Sequence, residues 1–303
     1  MKFSIALGTD HVHAPEQFVT GDAIAEIAQA IERSGLHAGF VTDHPAPDAK
    51  WLDAGGHHAL EPTVALSFAA AATSTLRLHT HIYVLAYRNP FLAAKALGSL
   101  DVLSNGRMIV GIGPGYLRAE FRALGMDFDT RVDDTDASVE IMRSVWAGDT
   151  VAAETERFQA RGVRQIPTPP AQPTLWFGGN SRRSMERAIA FGQGWSPFPT
   201  PQALASTART ASIASLDVLA AKLTLLHSRI DEVGRTEPLD VCFAPFSRAS
   251  YDEDPSRTAE IVDELGRMSA LGVTWTAVGF DGRDRAEMID RIERFGAEVA
   301  SQF

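Results

Sequence analysis

Short apolar runs alternate with amphipathic stretches along almost the whole chain. Lys2–Gly8 and Ala38–Thr42 read as buried strands, the second ending at Asp43-His44-Pro45. Between them, Asp22–Ser34 sets Ile24, Ile27, Ala28 and Ile31 on one helical face, with Gly35 placed to close the end. Pro62–Thr73 is alanine-rich and apolar, a packed helix. From Leu78 a third strand leads into the turn Leu85-Ala86-Tyr87-Arg88-Asn89-Pro90, a helix covers Phe91–Leu103, and Gly106–Tyr116 holds a fourth strand. That is a β-α-β unit, the crossover that parallel strands require. Asp133–Trp146 carries Val139, Met142 and Trp146 on one helical face. Residues 147–173 hold several prolines and no clear period, so they read as an insertion over the surface. Strand five at Thr174–Phe177 is followed by a helix ending at Phe191, and strand six is Gly194–Pro197. One long helical stretch spans Gln202–Val233, and strand seven is Leu239–Ala244. A helix over Ser256–Leu271, strand eight at Val273–Gly279 and a helix over Asp284–Ala300 complete the pattern.

Eight strands interleaved with helices on a chain of 303 residues predict an α/β fold, a (β/α)8 TIM barrel with an insertion between strands four and five. No linker-like stretch divides it, so residues 1–303 form one expected domain. A doubly wound open sheet is the rival, but no glycine-rich phosphate turn follows strand one. Hydrophobic content of 45% and charged content of 22% suit a soluble globular protein. A formal charge of −10 argues against nucleic acid as a partner. The single cysteine, Cys242, excludes an internal disulfide and fits a reducing cytoplasm. The N-terminus is too short for a signal h-region, and no apolar run is long enough for a bilayer, so no membrane partner is expected.

In a barrel, function gathers where strands end. Here those ends offer His11, His13, Asp43, His44, Thr80–Ile82, Gly113–Tyr116, Gly178–Ser181, Trp195 and Phe246, a set that is apolar, aromatic and glycine-rich. It suits a planar aromatic cofactor, and the alternating glycines at the end of strand four leave no side chain to hold a flat ligand off. Trp51, Tyr83, Tyr116, Trp195 and Phe198 are candidates to line the mouth. His11-Val12-His13 resembles the opening motif of metal-dependent amidohydrolases, but no His or Lys ends strands four to six, so no metal centre is expected. His79 and His81 share one strand face and read as packed barrel histidines rather than a metal pair. Gly178-Gly179-Asn180-Ser181 opens a helix whose free N–H groups can take an anion, with Arg182 and Arg183 nearby, and an ordinary capped turn is the alternative. Gly111-x-Gly113-x-Gly115 is no dinucleotide fingerprint, since Arg118 stands where the third glycine belongs.

Thr42-Asp43-His44-Pro45, the Leu85–Pro90 turn, Gly106-Arg107 through Gly115-Tyr116, Glu120-Phe121 and Trp176–Ser181, in this order, resemble the bacterial luciferase-like flavin- and F420-dependent oxidoreductases. The resemblance covers nearly the whole chain and is greatest to the branch using the deazaflavin coenzyme F420. It implies the cofactor ring lying across the barrel mouth, a homodimer, and a small-molecule substrate. By position it assigns His44 to proton transfer and Asp43 to the ring region. Thr80, His81 and Ile82 match the bulged strand behind the ring, often with a non-proline cis peptide that would fall between His81 and Ile82. Gly113, Gly115 and Tyr116 would lie beside the ring edge or tail, and Gly178, Gly179, Asn180 and Ser181 would take the phosphate. Sugar-phosphate dehydrogenases of the family carry Glu where this chain has Tyr116, which argues against that activity and for a neutral, fairly apolar substrate. Three functions follow from the resemblance. The first is hydride transfer with F420, a hydride carrier and poor oxygen activator. The second is FMN-dependent monooxygenation, less favoured because no tail arginine is evident at the Pro114 turn, and the third is flavin binding without turnover.

Overall fold

In the computed structural model the alternation becomes a closed ring of parallel strands. The structure describes residues 1–155, 157–205, 209–247 and 254–303. Strands β1 (Lys2–Ala6), β2 (Ala38–Val41), β3 (Arg77–Val84) and β4 (Met108–Gly113) follow one another around the ring. A separate antiparallel hairpin, β5 (Val151–Glu154) and β6 (Gln159–Val163), interrupts the order. The ring resumes with β7 (Thr174–Gly178), β8 (Gly194–Ser196), β9 (Asp240–Val241) and β10 (Trp275–Val278). β10 pairs in parallel with β1, and a parallel bridge from Cys242 to Trp275 joins the β9 side to β10, so the sheet has no free edge. This is a (β/α)8 barrel.

The helices form where the apolar period places them. Thr20 caps the helix Gly21–Arg33 through Oγ1, which accepts from the Ala23 N–H, and Ile24, Ile27, Ala28 and Ile31 are buried against the sheet. Each of the three isoleucines stabilises the fold by roughly 1.5–3 kcal/mol. Pro62–Ala72, Pro90–Leu103 and Arg131–Trp146 likewise cover the outside of β2, β3 and β4. Inside the ring a smaller cluster of Ala38, Phe40, Ile109, Trp176, Cys242, Trp275 and Ala277 fills the lumen.

Three expectations are corrected. The stretch Gln202–Val233 is not one helix. Helices Gln202–Ala205 and Leu216–Glu232 are separated by a segment whose Ile213 forms an antiparallel bridge with Thr200, ahead of the first helix, while residues 206–208 lie outside the described residues. Ser215 starts the second helix by accepting from the Val218 N–H, a cap that the apolar count does not reveal. The insertion holds the β5–β6 hairpin, whose strands are short and largely exposed and therefore leave little pattern. Strand seven is cut to Asp240–Val241 plus the Cys242 bridge. Among the described residues no helix is long and apolar enough to cross a membrane.

Candidate active site

The C-terminal ends of the strands open into a cavity of about 560 Å³, within the range that takes a cofactor or drug-sized ligand. Asp43, His44, His81, Ile82, Gly115, Tyr116, Gly178, Gly179 and Ser181 all line it, joined by His57, Phe198, Arg131 and Arg209. Thr80, Gly113 and Asn180 do not line the cavity, though each adjoins a residue that does, His81, Pro114 and Ser181 respectively.

The bulge on β3 explains this arrangement. Pairing with β4 shifts register between Thr80 and Tyr83, and the peptide between His81 and Ile82 is cis. Thr80 is fully buried, and its Oγ1 donates to the Gly111 carbonyl at 3.0 Å. The room left by the glycines is occupied by Ile82. A Cβ on Gly113 would lie 2.1 Å from Ile82 Cδ1, and one on Gly178 would lie 2.7 Å from it. The glycines therefore let the bulge side chain settle, and His81 and Ile82 form the surface that faces the cavity.

His44, at the end of β2, is held by Glu120. Its Nδ1 is 3.1 Å from Glu120 Oε2, which also accepts from the Tyr87 hydroxyl at 2.7 Å, while Oε1 accepts from the Ala46 N–H at 3.1 Å. Burial works against the Glu120 charge. The hydrogen bonds from His44 and Tyr87, the His44 charge and the Ala46 N–H outweigh it and hold the carboxyl below the usual carboxylate range. An ionised carboxylate only accepts, so Nδ1 carries a proton, and the ring in its neutral form keeps its lone pair on Nε2. Trp51 packs against this imidazole at 4.6 Å between centroids, and His57 stands edge-on at 4.8 Å.

Asp43 lines the same rim, but its carboxylate is engaged. Arg88 grips it with two bonds of 2.7 and 2.8 Å, and the Val84 N–H donates at 2.8 Å. Burial opposes the Arg88 charge, but the hydrogen bonds and charge of Asp43 keep the guanidinium's pKa above its ordinary value. Asp43 thus ties β2 to β3.

The opposite rim is basic. The guanidiniums of Arg118, Arg131 and Arg209 lie 4.2, 3.8 and 5.0 Å from the centre of the Phe128 ring. Arg131 also donates to the Gly115 carbonyl at 3.2 Å. Burial, then the charges of Arg209 and Arg118, depress its pKa. An anion placed there would relieve that repulsion. Beside it Ser181 caps the helix Arg182–Phe191, accepting from the Ser184 N–H at 3.1 Å, and the first amides of that helix have no intrahelical acceptor. Arg183, expected as a free charge here, pairs with Asp133 and Asp136, and Arg187 pairs with Asp136 and the Val132 carbonyl. Asn180 turns inward, donating to the Phe198 and Ala211 carbonyls and to Thr200 Oγ1.

The luciferase-like monooxygenase family model matches residues 1–256. The chain belongs to that family. Among curated relatives of this luciferase-like barrel, an F420-dependent hydroxymycolic acid dehydrogenase of Mycobacterium tuberculosis is 28% identical over 191 residues, 62% of this chain and 52% of that one. The chain thus spans about half the length of that relative. An FMNH(2)-dependent dimethylsulfone monooxygenase of Pseudomonas fluorescens is 32% identical over 130 residues, 42% of this chain and 35% of that one. The coenzyme F420-dependent tetrahydromethanopterin reductase of Methanopyrus kandleri superposes with a TM-score of 0.73 at 17% identity, over 100% of this chain and 99% of that one, a likeness of fold. Relatives of the luciferase-like barrel therefore use either F420 or FMNH(2).

Several contributors to the cavity carried no signal in the sequence. Glu120 stands in the family-like run Glu120-Phe121, but nothing there ties it to His44, 76 positions away. Arg131 reaches the Gly115 turn from the start of the helix Arg131–Trp146, so an arginine does stand beside that turn. Tyr83 and Trp195, expected at the mouth, point into the helix layer instead. Arg88 stacks on Tyr83, and Trp195 Nε1 donates to the Gly179 carbonyl at 2.9 Å. Their strand positions place them on the outer face.

Proposed function

We propose that this luciferase-like barrel transfers hydride between coenzyme F420 and a small, fairly apolar organic substrate, with His44 moving the accompanying proton. The observation that carries the reading is the Glu120–His44 pair on the cavity rim, which fixes one tautomer and leaves Nε2 as a proton acceptor. The residues present fit the cofactor. A flat ring has His81 and Ile82 for its back wall, and an anionic tail has Arg131, Arg209 and the helix start at Ser181. When bound, F420 supplies a two-electron hydride carrier. The chain contributes the rest. His44 Nε2 takes or returns a proton, Glu120 stabilises the imidazolium this creates, and Phe40, Ile82, Val84 and Phe198 keep the surroundings apolar. Tyr116 replaces an acidic residue with a phenol whose pKa burial pushes up to about 12, so the substrate side carries no added negative charge.

Titration with F420 and with FMN, followed by tryptophan fluorescence, tests the assignment. Saturable F420 binding with a Kd on the order of micromolar, and weaker FMN binding, are expected. His44→Ala should keep F420 affinity and lose about 10²- to 10⁴-fold in kcat. Tight FMN binding with oxygen consumption would replace the reading with monooxygenation, and full turnover by His44→Ala would remove the catalytic role. We also infer a homodimer joined through the outer faces of the helices Pro62–Ala72 and Pro90–Leu103, where large apolar side chains meet solvent.

A further inference from the structure

His57 has no part in the reading above, yet it lines the cavity beside His44. Its Nδ1 lies 3.1 Å from the His58 carbonyl oxygen. A carbonyl only accepts, so the proton of this ring also sits on Nδ1. Two imidazoles with centroids 4.8 Å apart, nearly perpendicular at 83°, are thus set in the same tautomer by two unrelated acceptors, Glu120 and the His58 carbonyl. Each keeps an Nε2 lone pair that no described residue engages. Trp51 lies against both rings, at 4.6 and 5.6 Å, and fixes their orientation. Both rings line the cavity, where a ligand hydroxyl can donate to either lone pair. A ligand with a single hydroxyl satisfies one lone pair. A ligand with two neighbouring hydroxyls satisfies both.

We infer that His44 and His57 act as a pair of hydrogen-bond acceptors and that the substrate is a vicinal diol on a compact apolar skeleton, with His57 as the specificity residue. This rests on the hydride-transfer reading. The oxidised carbon loses its hydrogen as hydride to the deazaflavin, its O–H proton passes to His44 Nε2, and the C–O bond becomes a carbonyl. The neighbouring hydroxyl stays bonded to His57 Nε2 throughout, so His57 gains and loses no proton.

Two measurements on the full chain separate this inference from its foundation. Long-range ¹H–¹⁵N correlation on the cofactor-free protein reads the tautomers directly, and both rings should carry hydrogen on Nδ1 only. A proton on Nε2 of either ring overturns the pairing whatever the cofactor proves to be. With F420 present, cis-cyclohexane-1,2-diol and cyclohexanol are compared as substrates. The diol should be favoured at least about tenfold in kcat/KM, mostly through KM, the loss expected for one hydrogen bond. His57→Phe should erase that preference by bringing kcat/KM for the diol down to that of cyclohexanol, and His57→Gln, which keeps an acceptor, should restore part of it. Equal use of the two alcohols, turnover of neither, or a preference that survives His57→Phe would each refute the diol assignment. If both alcohols are inert while the Nδ1 tautomers are present, the failure lies in the hydride-transfer reading and the diol with it, and the acceptor pair stands.

Discussion

His79 and His81 enter the barrel interior as neutral imidazoles. Burial pushes His81 down to about 4 and, with the charges of His81 and Arg77, lowers His79 well below its ordinary value. The unfolded chain takes up these protons near pH 6.5, whereas folded His81 refuses its proton until about pH 4 and folded His79 titrates well below its ordinary value. Native stability should therefore fall as pH drops through that window and be unaffected by these groups above it. For His81 alone the loss between pH 7 and pH 5 is about 2 kcal/mol. Urea unfolding at the two pH values should show this drop, and His81→Gln should lessen it by about that amount. A variant with an unchanged pH slope would mean that His81 charges in the folded state. The sequence already paired these two histidines on one strand face and read them as packed barrel residues. Their neutrality was not legible there, because it depends on the Trp176 and Phe40 rings that flank them from other strands. Glu120 was hidden for the same reason, since local pattern does not report which distant side chain completes a hydrogen bond.

At the scale of elements, β3 and β4 fit each other through missing side chains. A Cβ on Gly111 would stand 2.2 Å from the Thr80 carbonyl oxygen, a backbone atom that moves only if the bulge moves. At Gly113 the obstacle is Ile82 Cδ1, the tip of a side chain. Gly111→Ala should thus cost about 3 kcal/mol or more and Gly113→Ala distinctly less. Combining Gly113→Ala with Ile82→Val, which removes Cδ1, should recover much of the loss, giving a coupling of about 1 kcal/mol in a double-mutant cycle. Additive effects would disprove the contact. The glycine pattern itself stood out in the sequence, and the β-α-β unit read from it is present. The occupant of the space did not stand out, because a register shift on the neighbouring strand decides it. Elements went astray where apolar period was absent or too continuous, as in the β5–β6 hairpin and in the helix broken before Ser215.

For the whole molecule, eight strand signals in alternation were enough to name the barrel, since a closed parallel sheet satisfies every strand edge and every crossover at once. Assembly is less legible, because it depends on which helix faces the barrel leaves bare. Val64 and Phe68 are 57% and 50% exposed, and Leu92 and Leu103 are 71% and 79% exposed, on helices that are apolar almost all round. Light scattering after size exclusion should give twice the chain mass of 32.7 kDa, and Phe68→Asp with Leu103→Asp should halve it while leaving the far-ultraviolet circular dichroism intact. A native mass of one chain would end the dimer proposal.

Asn180 braces the loops behind the basic rim. One carboxamide fastens the segment at Phe198 and Thr200 to the segment at Ala211, and its backbone N–H holds Thr210, the neighbour of Arg209. The basic rim is thereby assembled when the chain folds. An arriving ligand need not gather the loops around itself, and the entropy of ordering them does not weigh against its residence.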